Sequence, residues 1–236
     1  IETYYDKAKD VKVGNAPDAQ LMWSPRLGFT YQLCEEAKHT LRGGIGVFTS
    51  RVPFVWPGGM FNNNGLTIGT VSQRDIPGGV KFEPGVEKQY TNPNFKVPSG
   101  SVDLFVSGFK YPQVLRSNLG LDIKLPGNAN LSIEGILSKT LNNIVYTNIN
   151  SDTAKSANGP WSGGGDDRTV YANKSIVSNY SAIYLASNTS KGSTYSITSS
   201  LSKRFHNGLS GSVSYTFGDA FSLSDGSSSQ NSSQWR

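Results

Sequence analysis

A chain of 236 residues with 36% hydrophobic residues and 26 glycines has little material for a large apolar core, and its composition favours strands and turns over helices. Its net charge of +5 comes from lysines and arginines that are scattered singly, which argues against a nucleic-acid partner. With a single cysteine the chain has no internal disulfide, and its two histidines show no metal-ligand spacing. No apolar run reaches the roughly 18 residues that a membrane-spanning helix requires.

The first predicted hairpin lies near the N-terminus. In residues 24–33 every second side chain is apolar, which is the period of a strand with one apolar and one polar face. Residues 41–49 repeat the pattern, and the polar residues 34–40 connect the two segments. We therefore expect an antiparallel pair of strands. Its apolar positions are Leu27, Phe29, Tyr31, Leu33, Leu41, Ile45 and Val47.

The second predicted hairpin has the clearest alternation in the chain. In residues 116–125, leucine and isoleucine oppose asparagine, glycine, aspartate and lysine almost without error. Residues 126–128, Pro-Gly-Asn, are typical of a tight turn. Leu131, Ile133 and Leu137 then form the apolar face of the returning strand.

The third predicted hairpin begins near Thr194. Its first strand runs to Phe205, and the dipeptide Asn207-Gly208 favours a tight hairpin turn. The returning strand, residues 209–217, sets Leu, Val, Tyr and Phe against Ser and Thr. The sequence thus predicts about six strands in three hairpins.

Connection lengths favour one class of β-protein. The connections within the hairpins are short, whereas residues 50–115 and 150–193 are long and rich in glycine and asparagine. Outer-membrane barrels have short periplasmic turns and long extracellular loops, and strands of about ten residues span their apolar band. We therefore predict an all-β chain of antiparallel up-and-down strands from a transmembrane β-barrel with long extracellular loops.

A soluble β-sandwich is the alternative fold, because alternation alone does not distinguish a core-facing from a lipid-facing strip. The polar faces of the predicted strands carry mainly small uncharged residues, namely Ser, Thr, Asn and Gly. A sheet exposed to bulk water usually carries more Lys and Glu, so this composition favours a crowded, hydrated barrel interior.

Several segments resemble TonB-dependent receptors, especially the Oar-like group of Bacteroidetes. The similar segments are SPRLGF (24–29), LRGGIGVFTSRVPFVW (41–56), NTSKG (188–192), LSKRF (201–205), YTFG (215–218) and the stretch 225–235. They keep the order found in that family and extend through nearly the whole chain.

The resemblance implies a barrel of about 22 strands closed by an N-terminal plug, with energy supplied by TonB through a box near the start of the plug. Residues 1–236 would then be one partial barrel, with the plug, the remaining strands and any export signal lying outside this sequence. The implied partners are outer-membrane lipid and, through the plug, the TonB complex. A surface lipoprotein is a further partner that the resemblance allows. The implied location is the outer membrane of a Gram-negative bacterium.

No catalytic residue, metal site or cofactor is predicted. Neither His39 nor His206 has a nucleophile in a recognisable elbow, and no Gly-x-Ser-x-Gly sequence occurs. The pairs Glu35-Glu36 and Asp166-Asp167 are adjacent only in sequence, and neighbouring side chains of an extended chain point to opposite faces. We therefore do not expect an enzyme.

Aromatic residues outside any period-two pattern are the candidate ligand-binding residues. Arg51, Phe54, Trp56 and Phe61 lie among Pro, Gly and Asn in residues 51–64, and Trp161 lies in a second Gly-rich stretch. Aromatic rings there can stack on a sugar or peptide ligand, or can pack within the loop or on a plug.

Two functions follow from these observations. The first is a segment of an outer-membrane active transporter that captures a nutrient ligand outside the cell. The second is a soluble lectin-like or adhesive module that uses the same aromatic residues. They differ in whether the leucine and isoleucine strips contact lipid or a protein core.

Overall fold

The computed structural model describes residues 13–14, 16–33, 38–65, 76, 78–89, 100–151, 175–223, 228 and 231. Within these residues the chain forms eight strands, one α-helix and one turn of 3-10 helix at Val86–Lys88. The strands are β1 Arg26–Gln32, β2 His39–Thr49, β3 Val102–Phe105, β4 Gln113–Leu125, β5 Ala129–Asn148, β6 Ile183–Thr189, β7 Gly192–Arg204 and β8 Ser210–Ser222, and the helix is α1 Val55–Asn62. No helix in the described part of the chain is long and apolar enough to cross a membrane.

Six long strands form one antiparallel meander in the order β1, β2, β4, β5, β7, β8. The three predicted hairpins are β1–β2, β4–β5 and β7–β8, and the all-β prediction is confirmed. Gly127 (φ 74°), Asn128 (φ 59°) and Gly208 (φ 85°) adopt positive φ in the two tight turns, the backbone conformation for which glycine and asparagine are favoured.

Most apolar side chains of the meander point to one face. Register partners in neighbouring strands point to the same side of the sheet. For example, Leu119 of β4 is the partner of Gly135 in β5, which is the partner of Ile197 in β7. In the described part of the chain no second sheet covers this face, which contradicts the sandwich alternative. Its exposed members include Leu27, Phe29, Ile45, Leu119, Ile133, Leu137, Tyr195, Ile197, Leu201, Val213, Tyr215 and Phe217.

Two strands and one helix were missed by the sequence prediction of six strands. Strand β5 is 20 residues long and continues past the end of its pairing with β4. Its last residues, 143–148, pair with β6 instead, and β6 in turn pairs in parallel with β3. The loop predicted for residues 50–115 therefore contains α1 and β3, and that predicted for 150–193 contains β6.

These additional elements form a folded body at the long-loop end of the sheet. We call α1, β3, β6, residues 141–148 of β5 and the loop residues that pack on them the loop unit. Its core consists of two clusters of buried side chains, and hydrophobic burial at about 25 cal/mol per Å² makes such clusters the main source of its stability. One cluster contains Val102, Leu104, Ile149, Tyr180 and Ile183. The other contains Val52, Trp56, Met60, Phe105, Phe109, Ile144, Tyr146 and Ala186.

Candidate functional site

Helix α1 separates the aromatic residues of the loop into two sets. Trp56 and Met60 are four residues apart, so they lie on the same side of the helix, and both are buried in the loop unit. Phe54 precedes the helix and Phe61 lies seven positions later; they are 76% and 58% exposed. The helix therefore turns one pair inward and presents the other pair to the outside.

Trp56 has a packing role in this structure. Its side chain is 5% exposed, and its ring meets Tyr146 edge to face at 6.1 Å between centroids. Its indole Nε1–H donates to the carbonyl oxygen of Ser228 at 3.0 Å. The amide of Asn231 donates to the Trp56 carbonyl oxygen at 3.2 Å, so Ser228 and Asn231 are both hydrogen-bonded to the same residue of α1.

A buried carboxyl group lies beneath α1. Asp103 of β3 is 2% exposed and accepts a hydrogen bond from the amide of Asn63 at 2.6 Å. A Cβ atom at Gly59 would come within 2.6 Å of the Asp103 carboxyl, so this close approach requires glycine. Burial raises the pKa of Asp103 above its ordinary value of 3.8, although hydrogen bonds from Asn63 and Asn231 oppose the rise.

The raised pKa of Asp103 predicts that the loop unit is more stable in acid. The folded protein favours the neutral form of the Asp103 carboxyl. Protonated Asp103 therefore adds to the free energy of unfolding in full below the ordinary pKa of 3.8, and this contribution is lost as the pH rises through the pKa of the folded state. Amide hydrogen exchange of α1 and β3, corrected for the intrinsic rate, should show less opening at about pH 4 than at about pH 7. Asp103→Asn should reduce the difference in opening between the two pH values. An equal difference in the variant and the unaltered protein would contradict the prediction.

An apolar pocket lies between α1, the residues that follow β3 and the segment 16–20. Its volume is about 460 Å³, which is within the range of pockets that hold small molecules. We call it the aromatic pocket, because five of its lining residues, Phe54, Phe61, Phe105, Phe109 and Tyr111, are aromatic. The other lining residues include Pro17, Asp18, Gln20, Val52 and Pro57.

The floor of the aromatic pocket is buried, and its rim is exposed. Phe105 and Phe109 are buried and meet edge to face at 5.1 Å between centroids, which fixes the floor. The backbone N–H of Asp18 donates to the carbonyl oxygen of Ser107 at 2.9 Å and holds the segment 16–20 as one wall. Phe54 and Phe61 form the exposed rim.

The structure brings together two of the five residues predicted to bind ligand. Phe54 and Phe61 line the aromatic pocket, Trp56 lies behind it, and Arg51 is exposed but does not line it. Trp161 lies outside the described residues. Sequence reasoning missed Phe105, Phe109 and Tyr111, although three aromatic residues within seven positions of a predicted loop were an available signal.

A charged network on the polar face of the sheet was also missed. Arg42 of β2 donates from Nε to Asp122 at 2.9 Å and from Nη1 to Glu134 at 2.8 Å. Asn118 donates to Glu134 at 3.3 Å, and the Ser132 hydroxyl donates to Asp122 at 2.5 Å. The guanidinium thus joins β2 to β4 and β5, and only knowledge of the register could have identified the three partners.

Comparison with known proteins identifies the family. Two crystal structures of mutants of the ferric enterobactin receptor (PfeA) from Pseudomonas aeruginosa are similar at 17% sequence identity, with a TM-score of 0.47. The similarity covers 83% of this chain and 22% of the receptor chain. No curated protein matches significantly. The family described as an outer membrane beta barrel domain matches residues 7–236, so the chain belongs to that family and is located in the outer membrane.

Proposed function

We propose that this chain is part of an outer-membrane active transporter that takes up a nutrient ligand with energy from TonB, and that the aromatic pocket contacts the ligand. The observation that carries the proposal is the position of the pocket, at the long-loop end of a sheet whose family resides in the outer membrane. In such barrels the long loops face the outside of the cell, where a nutrient is first met.

The chemistry of the pocket supports contact with an apolar or aromatic group. The rings of Phe54 and Phe61 are exposed to water, so a ligand that covers them would gain free energy from burying their apolar surface. The nearby Asp18 and Gln20 offer polar groups that could orient the ligand. Transport further requires TonB, reached through a plug, and a surface lipoprotein is a further proposed partner.

Uptake is tested by comparing the spent medium of cells that produce the protein with that of a deletion strain. Compounds consumed only by the producing cells are candidate nutrients, and their uptake should stop when TonB is deleted. Equal consumption in the deletion strain would contradict a transport role. Consumption that continues at the full rate without TonB would contradict the proposed energy source.

The pocket is tested in the same cells with the double variant Phe54→Ser, Phe61→Ser. Losing two apolar contacts of the ligand should weaken its capture by about tenfold, measured as a rise in the nutrient concentration that gives half-maximal uptake. The matched control is Phe82→Ser, because Phe82 is 89% exposed and lies outside the pocket. An equal effect of both variants would rule out a specific role for the pocket.

A further inference from the structure

Two arginines lie side by side on the polar face of the sheet, near its long-loop end. Arg26 of β1 and Arg116 of β4 are both register partners of Gly46 in β2, which lies between them. Register partners point to the same face, so only a glycine separates the two side chains. Both arginines line a cavity of about 670 Å³ that is distinct from the aromatic pocket.

Gly46 allows Arg26 to lean towards Arg116. A Cβ atom at position 46 would come within 3.0 Å of Cγ of Arg26, so the stem of the arginine occupies the space above the glycine. The guanidinium carbon lies 4.5 Å from the centre of the Phe48 ring, a cation–π distance. The side chain of Arg26 therefore lies over β2, the strand between β1 and the strand of Arg116.

Neither arginine of this cavity is paired with its acidic residue. Glu134 is the one acidic residue among the described lining, and it accepts hydrogen bonds from Arg42 and Asn118. Within the described residues, Arg26 and Arg116 form no salt bridge. Two guanidinium groups that share a cavity repel each other, and an anion between them would remove that repulsion.

We propose that the cavity between Arg26 and Arg116 binds the carboxylate or phosphate group of a small solute. Guanidinium groups present paired N–H donors whose geometry matches these oxyanions. Asn118 and Ser138 add polar groups to the same lining. The site deepens the proposed transport function, on which it rests, by assigning the ligand to the class of oxyanions.

The site is tested by chemical protection in the detergent-purified protein that carries this chain. Phenylglyoxal modifies accessible arginines, and mass spectrometry measures the rate at each position with and without inorganic phosphate. Phosphate should slow the modification of Arg26 and Arg116. Arg204 is the internal control, because it lies on the polar face at the opposite, short-turn end of the sheet.

Binding of phosphate is measured in parallel by calorimetry. The double variant Arg26→Gln, Arg116→Gln should bind about tenfold more weakly, because charge-assisted hydrogen bonds are replaced by neutral ones. The control Arg204→Gln should bind as the unaltered protein does. Both measurements use purified protein without TonB, so the result for oxyanion binding does not depend on the result of the uptake experiment.

Three results would overturn the assignment. Equal modification rates with and without phosphate would show that the pair holds no oxyanion. Equal protection at Arg204 would reveal a general ionic effect in place of a site. Arginines that resist phenylglyoxal before phosphate is added would show that the pair is already neutralised within the protein.

Discussion

Replacing Ile197 by arginine should destabilise the membrane-inserted protein by about 2–4 kcal/mol. Ile197 lies near the centre of β7 on the exposed apolar face, so its substitute would place a charge near the middle of the bilayer. The measurement is the urea dependence of folding into lipid vesicles, followed by the change in electrophoretic mobility between folded and unfolded barrel.

The preceding residue provides the matched control. Ser196 belongs to the same strand and points to the polar face, so Ser196→Arg adds the same charge to the hydrated side of the sheet. Its effect should stay within about 0.5 kcal/mol. If both variants were destabilised equally, the apolar strip would not be a lipid-contacting surface.

Phe105→Ala should open the loop unit while leaving the membrane strands folded. Phe105 is buried and meets both Phe109 and Tyr146 edge to face, and removing a buried phenylalanine costs about 3–5 kcal/mol. Amide hydrogen exchange should rise by the corresponding factor in α1, β3 and β6 but not in β7 and β8.

Phe82→Ala is the control for this prediction, because the same side chain is removed from a site where it is almost fully exposed. Its effect on exchange should stay within about 0.5 kcal/mol. Loss of protection in β7 and β8 of the Phe105 variant would mean that the loop unit and the long strands unfold together and are not separate folding units.

The hairpins could be predicted from the sequence because their signals are local. Alternation identifies each strand, and residues such as Gly127, Asn128 and Gly208 identify the turns between them. Connection lengths supplied the remaining argument for a membrane barrel. None of these signals depends on contacts between distant parts of the chain.

The loop unit could not be predicted, because its elements depend on distant contacts. Strand β3 is four residues long and buried throughout, so it shows no alternation. Helix α1 contains a proline and two glycines, which are poor helix formers, and the packing of Trp56 and Met60 compensates for them. The change of partner along β5 is equally invisible in the sequence.

The candidate sites were predicted only in part for the same reason. Phe54 and Phe61 stood out as aromatic residues without a strand period, whereas the pocket floor comes from a segment far along the chain. The pairing of Arg26 with Arg116 across Gly46 follows from register alone. The assignment to the TonB-dependent receptors, and to their Oar-like group, remains a prediction from sequence resemblance.

The parallel pairing of β3 with β6 has a consequence for the order of assembly. The two strands of each hairpin in the meander are joined by a short connection. Strand β3 instead pairs with a strand that is synthesised much later, because Val102 pairs with Ile183. Contacts between such distant positions lose more chain entropy before they gain any stabilisation. The pairing of β3 with β6 is therefore expected to form after the three hairpins have closed, so the loop unit reaches its folded state later than those hairpins.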